Sequence, residues 1–371
     1  NSPLMESLQQ VRGSDGRYRL WNEDLTPYRS AVTLPQTLQP NALGQYLYQG
    51  RYFIRMDGQL FEQRFDHNLQ QWRAIHPDTP DAWQPPLAHN AQGAWRGQHE
   101  QPGQWPFAKL ARRLGEAYAA FTPEQLAKAG RLCGIDTAQL RRVHLEGRAT
   151  PPLLLDALQR MAAQAEVEAL ADKATPGLFE RLYNGSAPTT PSTQKLLAAY
   201  PRLSPALATC LLTPLGEAES LAWQQQGQLP IQVRQALEQV HSELPLVRAL
   251  EGVLQPARAS SDSERLLFSA LDAMPDWPAD LRLELHGASP QGPLLEHVGS
   301  DQASTLRRVI KTTEGYEVDR GERPAPGPRD PDLCRAIEQA LPRSHRDTLG
   351  FPTADGSSLR QRVLGWVDLH R

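Results

Sequence analysis

The sequence predicts an α+β chain in which an antiparallel β meander comes first, a bundle of short helices fills the middle and a small α+β unit closes. Three observations predict it. From about Tyr18 to Trp105 the pattern has period two and is rich in aromatics, with Asp57-Gly58 between two alternating runs, a pair that two-residue hairpins favour because both turn residues need positive φ. From Pro106 the apolar spacing becomes helical. Hydroxyl-proline pairs at Thr122-Pro123, Thr150-Pro151, Ser204-Pro205 and Thr213-Pro214 set an N-cap acceptor before a proline whose missing N–H costs nothing in a first turn. After Met274 alternation returns at 281–285, 308–312 and 316–318. The expected domains are residues 1–105, 106–273 and 274–371.

In the first domain the runs 46–50, 51–56, 59–65 and 70–75 read as three or four strands, with a second turn at Asp66-His67-Asn68. A Pro-rich stretch with Pro77, Pro80, Pro85 and Pro86, running on to Trp95, reads as an extended arm across a neighbouring domain or as an ordinary ordered loop. Trp21, Trp72, Trp83, Trp95 and Trp105 crowd this domain. They suit the core of a small sheet, or else a sugar- or peptide-binding surface.

In the second domain Phe107, Leu110, Ala111, Leu114 and Tyr118 share one helical face. Thr122-Pro-Glu-Gln125 is a capping box whose helix Gly134 closes, and Asp136 caps the next, which Gly147 ends. Thr150 is expected to open a longer helix. Residues 175–193, rich in Thr, Pro, Gly and Ser with one apolar turn at Leu178, Phe179 and Leu182, read as a mobile surface excursion and the first point of proteolysis. Helices resume near Thr193, Pro205, Pro214 and Pro230, and Pro245 is expected to kink or split the last. Residues 262–273 close the zone. In the third domain 308–312 and 316–318 pair as a hairpin across Glu314-Gly315, and short helices follow the Pro-rich 323–331.

Composition narrows the function. Lys and Arg number 39 against 42 Asp and Glu, a formal net charge of −3, which argues against a nucleic-acid partner. No apolar run approaches the ~18 residues a transmembrane helix requires. The chain opens on Asn1-Ser2-Pro3-Leu4, without the basic start and apolar core of a secretory signal, and is expected to be a piece of something longer. No phosphate-cradling glycine motif and no H-E-x-x-H or C-x-x-C is present, so no cofactor and no metal is expected. Ser186 in Asn-Gly-Ser-Ala-Pro lacks the second glycine of a nucleophile elbow. Asp276 and Asp280 read as boundary residues. Cys133, Cys210 and Cys334 sit in apolar helical text and read as small hydrophobes. The candidates for catalysis are Cys133, beside Arg131, and His144, one turn after Arg141, because a thiolate nucleophile wants a histidine in an electropositive spot.

The text also carries a resemblance. GRYFIRMDGQLFEQRFD at 50–66, QWR at 71–73 and PPLAHNAQGAW at 85–95 resemble a segment of the large secreted toxins of pseudomonads and related bacteria. These carry a dermonecrotic-toxin-like N-terminal region and often leucine-rich repeats with a C-terminal ubiquitin-ligase domain. CGID at 133–136, LRRVHLEGR at 140–148 and PPLLLDAL at 151–158 resemble the helical module that follows there. DSERL at 262–266, MPDWPADLRLEL at 274–285, GPLL at 292–295 and Gly315-Tyr316 are similar to its later part. The likeness runs collinearly over most of 45–365, and this chain looks shorter than its relatives around 165–190.

What the resemblance implies is a non-catalytic scaffold and interaction region of a secreted toxin or effector, delivered into the host cytoplasm. Its partners would be other domains of the same polypeptide and a host or bacterial protein, with any ubiquitin-transferase domain outside this chain. Neither the repeats nor the ligase's cysteine motif is here, since Cys133, Cys210 and Cys334 are followed by Gly-Ile-Asp, Leu-Leu and Arg-Ala. The residues leave two alternatives: an enzyme with a motif-less active site, and a carbohydrate- or peptide-binding module using the N-terminal aromatics. Large apolar residues at the domain junctions, Trp105 and Met274, are expected to be buried.

Overall fold

The computed structural model describes residues 9–12, 15–79, 81–185, 187, 189–319 and 329–371. Asn1 to Leu4, Pro80, Ser186 and residues 323–328 of the last Pro-rich run lie outside them. The chain is α+β, and it divides into two compact units, Asn1–Val240 and His241–Arg371. The three zones of text thus map onto two units. The β zone and most of the helical zone make the first, and the last helical residues join the third zone in the second.

In the first unit β1 (Gln10–Arg12) and β2 (Tyr18–Leu20) pair antiparallel, and β3 (Tyr46–Tyr48), β4 (Arg51–Met56), β5 (Gln59–Asp66) and β6 (Gln71–Ala74) form an antiparallel meander in sequence order. Asp57 and Gly58 both take positive φ, 52° and 75°, as a primed hairpin turn requires. Gln49 and Gly50 do the same at 52° and 77°. The second expected turn forms because Asp66 Oδ1 accepts the amides of Asn68 and Leu69. Both faces of the sheet are covered. Ile54, Met56 and Phe61 pack with Tyr28, Leu87 and Trp95, while Phe53 and Leu60 pack with Leu34 and Tyr46.

The Pro-rich arm starts against its own sheet and, at Asn90, reaches the helical zone. Ala74 N–H donates to Pro85 O at 2.9 Å, Arg73 bridges to Pro86, and Tyr28 OH donates to Trp83 O. Buried Arg73 donates from Nε to Gln84 O at 2.7 Å and from Nη1 to Asp66 Oδ2 at 3.2 Å, with its guanidinium 4.6 Å from the Trp83 ring centre. The arm ends in a hairpin of β7 (Leu87–His89) and β8 (Trp95–Gly97).

The helices follow their caps with two exceptions. Thr122 and Asp136 close capping boxes on Pro123–Cys133 and Thr137–Glu146, which end on left-handed Gly134 and Gly147. Ser204 caps Pro205–Leu212. Thr150, however, caps nothing, because Pro152–Leu170 starts one residue late with Pro151 as its N-cap. Thr213 ends a helix instead of starting one: its hydroxyl donates back to Thr209 O at 2.8 Å, and Glu217–Gln226 starts after Gly216. Thr190-Pro191 is a true hydroxyl-proline start that the loop-like composition hid.

The expected loop at 175–193 is also corrected. It contains the helix Leu178–Asn184, whose Phe179 and Tyr183, four residues apart, are buried with Ala163 and beside Val167. Two aromatics on one face outweigh the surrounding Gly and Pro. Ile231–Leu254 runs unbroken through Pro245, where buried Leu237, Val240, Leu244, Val247 and Leu250 supply more than one lost hydrogen bond removes.

In the second unit β9 (Leu281–Gly287), β10 (Leu294–Val298), β11 (Thr305–Thr312) and β12 (Gly315–Asp319) form a sheet in the order β10-β9-β11-β12. β9 and β11 are parallel, the other pairs antiparallel. Sequence reasoning missed β10, whose Leu294-Leu295 doublet and bulge break the alternation. Buried Glu264, on the helix Ser261–Asp272, accepts from Lys311 Nζ at 2.9 Å and Tyr316 OH at 2.7 Å, tying helix to sheet. Trp105 and Met274 are both buried, 6% and 8% exposed, so the zone junctions lie inside compact units. Among the described residues no helix is long and apolar enough to cross a membrane.

Candidate functional site

One group of buried polar residues in the first unit gathers where the sheet, the β7–β8 hairpin and the helices meet. Arg113, just past the helix Phe107–Arg112, has only 5% of its side chain exposed. Its Nη2 donates to both Glu100 oxygens at 2.6 Å, its Nη1 to Glu100 Oε1 at 3.1 Å, and its Nε to Asp57 Oδ2, in the β4–β5 turn, at 3.1 Å. Its guanidinium lies 4.9 Å from the Trp105 ring centre. One planar cation thus holds three segments, a geometry that lysine's point charge cannot reproduce.

The hairpin is fastened in turn to the end of the helix Thr137–Glu146. Asn90 Nδ2 donates to Val143 O and Arg96 Nη1 to His144 O, both at 3.0 Å. These are last-turn carbonyls with no partner inside the helix, and a cation suits that end of the dipole.

Of the two predicted catalytic candidates, His144 belongs to this cluster. Its Nε2–H donates to Leu110 O at 2.8 Å, and its ring stands edge-on to Trp105 at 5.4 Å. Cys133 is buried and donates from Sγ to Leu153 O at 3.2 Å. The two side chains thus serve different backbone carbonyls, one on each of two helices. Cys334 is buried and its thiol is pushed up to about 12 by desolvation. Cys210 is exposed, yet desolvation first and the Asp156 carboxylate second also raise its thiol. Asp276 accepts from Arg362 Nη2 at 2.9 Å and Asp280 from His345 Nε2 at 3.0 Å. Among the described residues no group of three or more His, Cys, Asp or Glu is placed to hold a metal ion.

Sequence reasoning missed a cavity of mixed lining, with one charged wall, on the same unit. About 480 Å³ in volume, it is lined by the 39–44 loop, the hairpin turn at Gln92-Gly93, and 114–117. Tyr46 OH donates to Glu116, and Arg55 Nε stands 3.0 Å from Glu116 Oε1 with its guanidinium 5.8 Å from the Tyr46 ring centre. Desolvation and the Glu116 carboxylate push the phenol up to about 12, so Tyr46 keeps its proton at neutral pH. The loop–turn wall depends on glycine, since a Cβ on Gly44 would meet Gly93 O at 2.6 Å. Arg55, in a strand, and Glu116, about sixty residues on, share no sequence signal.

No family model, curated protein or solved structure matches this chain. The chemistry of these groups is therefore read from their geometry. Burial first, in each case, holds His76, His89 and His144 below the ordinary histidine value of 6.5. A histidine depressed in the folded state takes its proton in the unfolded chain first. Its stabilisation is therefore complete above the unfolded value and declines as pH falls through and below it. The first unit is expected to lose stability as pH drops below about 6.5, before the carboxylates of Asp24 and Asp66, which are lowered, come into play. Urea unfolding at stepped pH checks this, and His144→Gln should show a smaller loss over the same window.

Proposed function

We propose that this chain is a non-catalytic scaffold and interaction region of a secreted bacterial toxin or effector. The observation that carries the reading is how its reactive side chains are used. Cys133 and His144 are each bonded to a helix carbonyl inside the core, and Arg113 joins the β4–β5 turn to Glu100 beside the hairpin. Such groups hold segments together; a nucleophile and its base would face each other and a substrate. The resemblance of 50–66, 85–95 and 274–285 to the connecting region of the pseudomonad-type toxins supports the same reading. On that reading the partners are flanking domains of the same polypeptide and a protein met in or near the host cell, and delivery is into the host cytoplasm.

The test uses the toxin or effector in which this chain resides, applied to host cells. Replacing Cys133, Cys210 and Cys334 by serine, together with His144→Gln, is expected to leave its effect on the cells unchanged once expression is matched. Loss of that effect on Cys133→Ser alone, with melting temperature unaltered, would contradict the reading and favour an enzyme.

A further inference from the structure

We propose that the cavity between the 39–44 loop, the β7–β8 hairpin turn and 114–117 binds a neutral polyhydroxyl ligand, a mono- or disaccharide. This goes beyond the scaffold reading and does not rest on it. The volume, about 480 Å³, lies within the roughly 300–1,000 Å³ usual for small-molecule sites. Its polar wall is a planar cation beside a planar anion. Arg55 is 25% and Glu116 48% exposed in their side chains, so each offers surface to a ligand while Tyr46 OH holds the carboxylate in place.

The balance of charge on that wall selects the ligand class. An anion seated on Arg55 would face the Glu116 carboxylate, and a cation seated on Glu116 would face the guanidinium. A pair of neighbouring hydroxyls satisfies both, one donating to the carboxylate and the other accepting from the guanidinium, each as a charge-assisted hydrogen bond. Gln39 and Gln92, exposed at the rim, add amides that can donate and accept at once. This site is distinct from the indole surface that the sequence suggested for sugars: Trp95 is buried in the core, and Trp21 and Trp72 pack against it.

The experiment is ligand-observed NMR and calorimetry on the full chain. The neutral probes are glucose, galactose, mannose, N-acetylglucosamine, cellobiose and chitobiose; phosphate, acetate and methylammonium are the charged probes. Saturable binding of at least one neutral saccharide is expected. Ala117→Trp, at an exposed lining position, should fill the cavity and weaken that binding by about tenfold or more. Should that variant fail to fold, Gln92→Ala, confined to the exposed rim, carries the test with an expected loss of severalfold. The proposal is overturned if no neutral saccharide binds at millimolar concentration, if binding is unchanged in the folded variant, or if a charged probe occupies the site in preference.

Discussion

Replacing Arg113 by methionine is expected to lower the stability of the first unit by about 3–5 kcal/mol, the usual result of removing one partner from a buried ion pair. Methionine keeps much of the volume and removes the charge. Glu100, 14% exposed in its side chain, would lose its three shortest contacts with Arg113, and Asp57 would lose its link from the β4–β5 turn. The Trp105 ring would keep Lys109, 4.9 Å away on its face, but not the cation that ties it to the sheet. Glu100 would keep the Gly97 amide at 2.8 Å and Lys109 Nζ at 3.9 Å, and because a largely buried carboxylate stripped of its main partner causes most of this loss, Arg113→Met with Glu100→Met should recover more than half of it. Urea unfolding of the two single variants and the double variant measures the coupling. A fall below about 1 kcal/mol for Arg113→Met would place the pair among surface ion pairs and remove it as a fastener.

In the second unit the largest effect is expected at Gly299. Its φ is +94°, and a Cβ there would lie 2.2 Å from Leu281 O and 3.0 Å from Arg282 Cα, both backbone atoms at the start of β9. Gly299→Ala should therefore combine backbone strain of about 1–3 kcal/mol with overpacking of about 1–3 kcal/mol. The bond from Arg282 Nη1 to Gly299 O, 3.0 Å long, would be disturbed as well. Gly365 is the control. It sits within the helix Ser357–His370, where an added Cβ would meet nothing within 4 Å, so Gly365→Ala should stabilise by about 0.5–1 kcal/mol. Equal effects at the two glycines would contradict the account.

Local signals carried much of the fold. Asp57-Gly58, the Thr122 and Asp136 boxes, and Gly134 and Gly147 act within four residues of themselves, and each does in the structure what its chemistry dictates. Where local composition competed with burial, burial won: Phe179 and Tyr183 made a helix of loop-like text, and Ile231–Leu254 absorbed Pro245. The parallel pairing of β9 with β11 left no trace in either strand's own pattern, because it depends on partners more than twenty residues apart. Of the polar cluster only His144 and Trp105 stood out; nothing in the sequence joined Arg113 to Glu100 or to Asp57, because the three lie on separate segments. His144 was noticed for its chemistry, and the structure sets it against Leu110 O and Trp105 instead. The Tyr46, Arg55 and Glu116 cavity was invisible because three separate segments build it.

Arg113 and its carboxylate partners, with Asn90 and Arg96, fasten the sheet and hairpin of the first unit to its helices. Native-state hydrogen exchange tests this most directly, comparing amides of β4 and β5 with those of the helices Pro123–Cys133 and Thr137–Glu146 in the unaltered chain and in Arg113→Met. The most protected amides of sheet and helices are expected to share one opening free energy, and the substitution is expected to lower both by the same amount. Sheet amides that kept their protection while the helix amides lost theirs, or two opening energies already distinct in the unaltered chain, would contradict it.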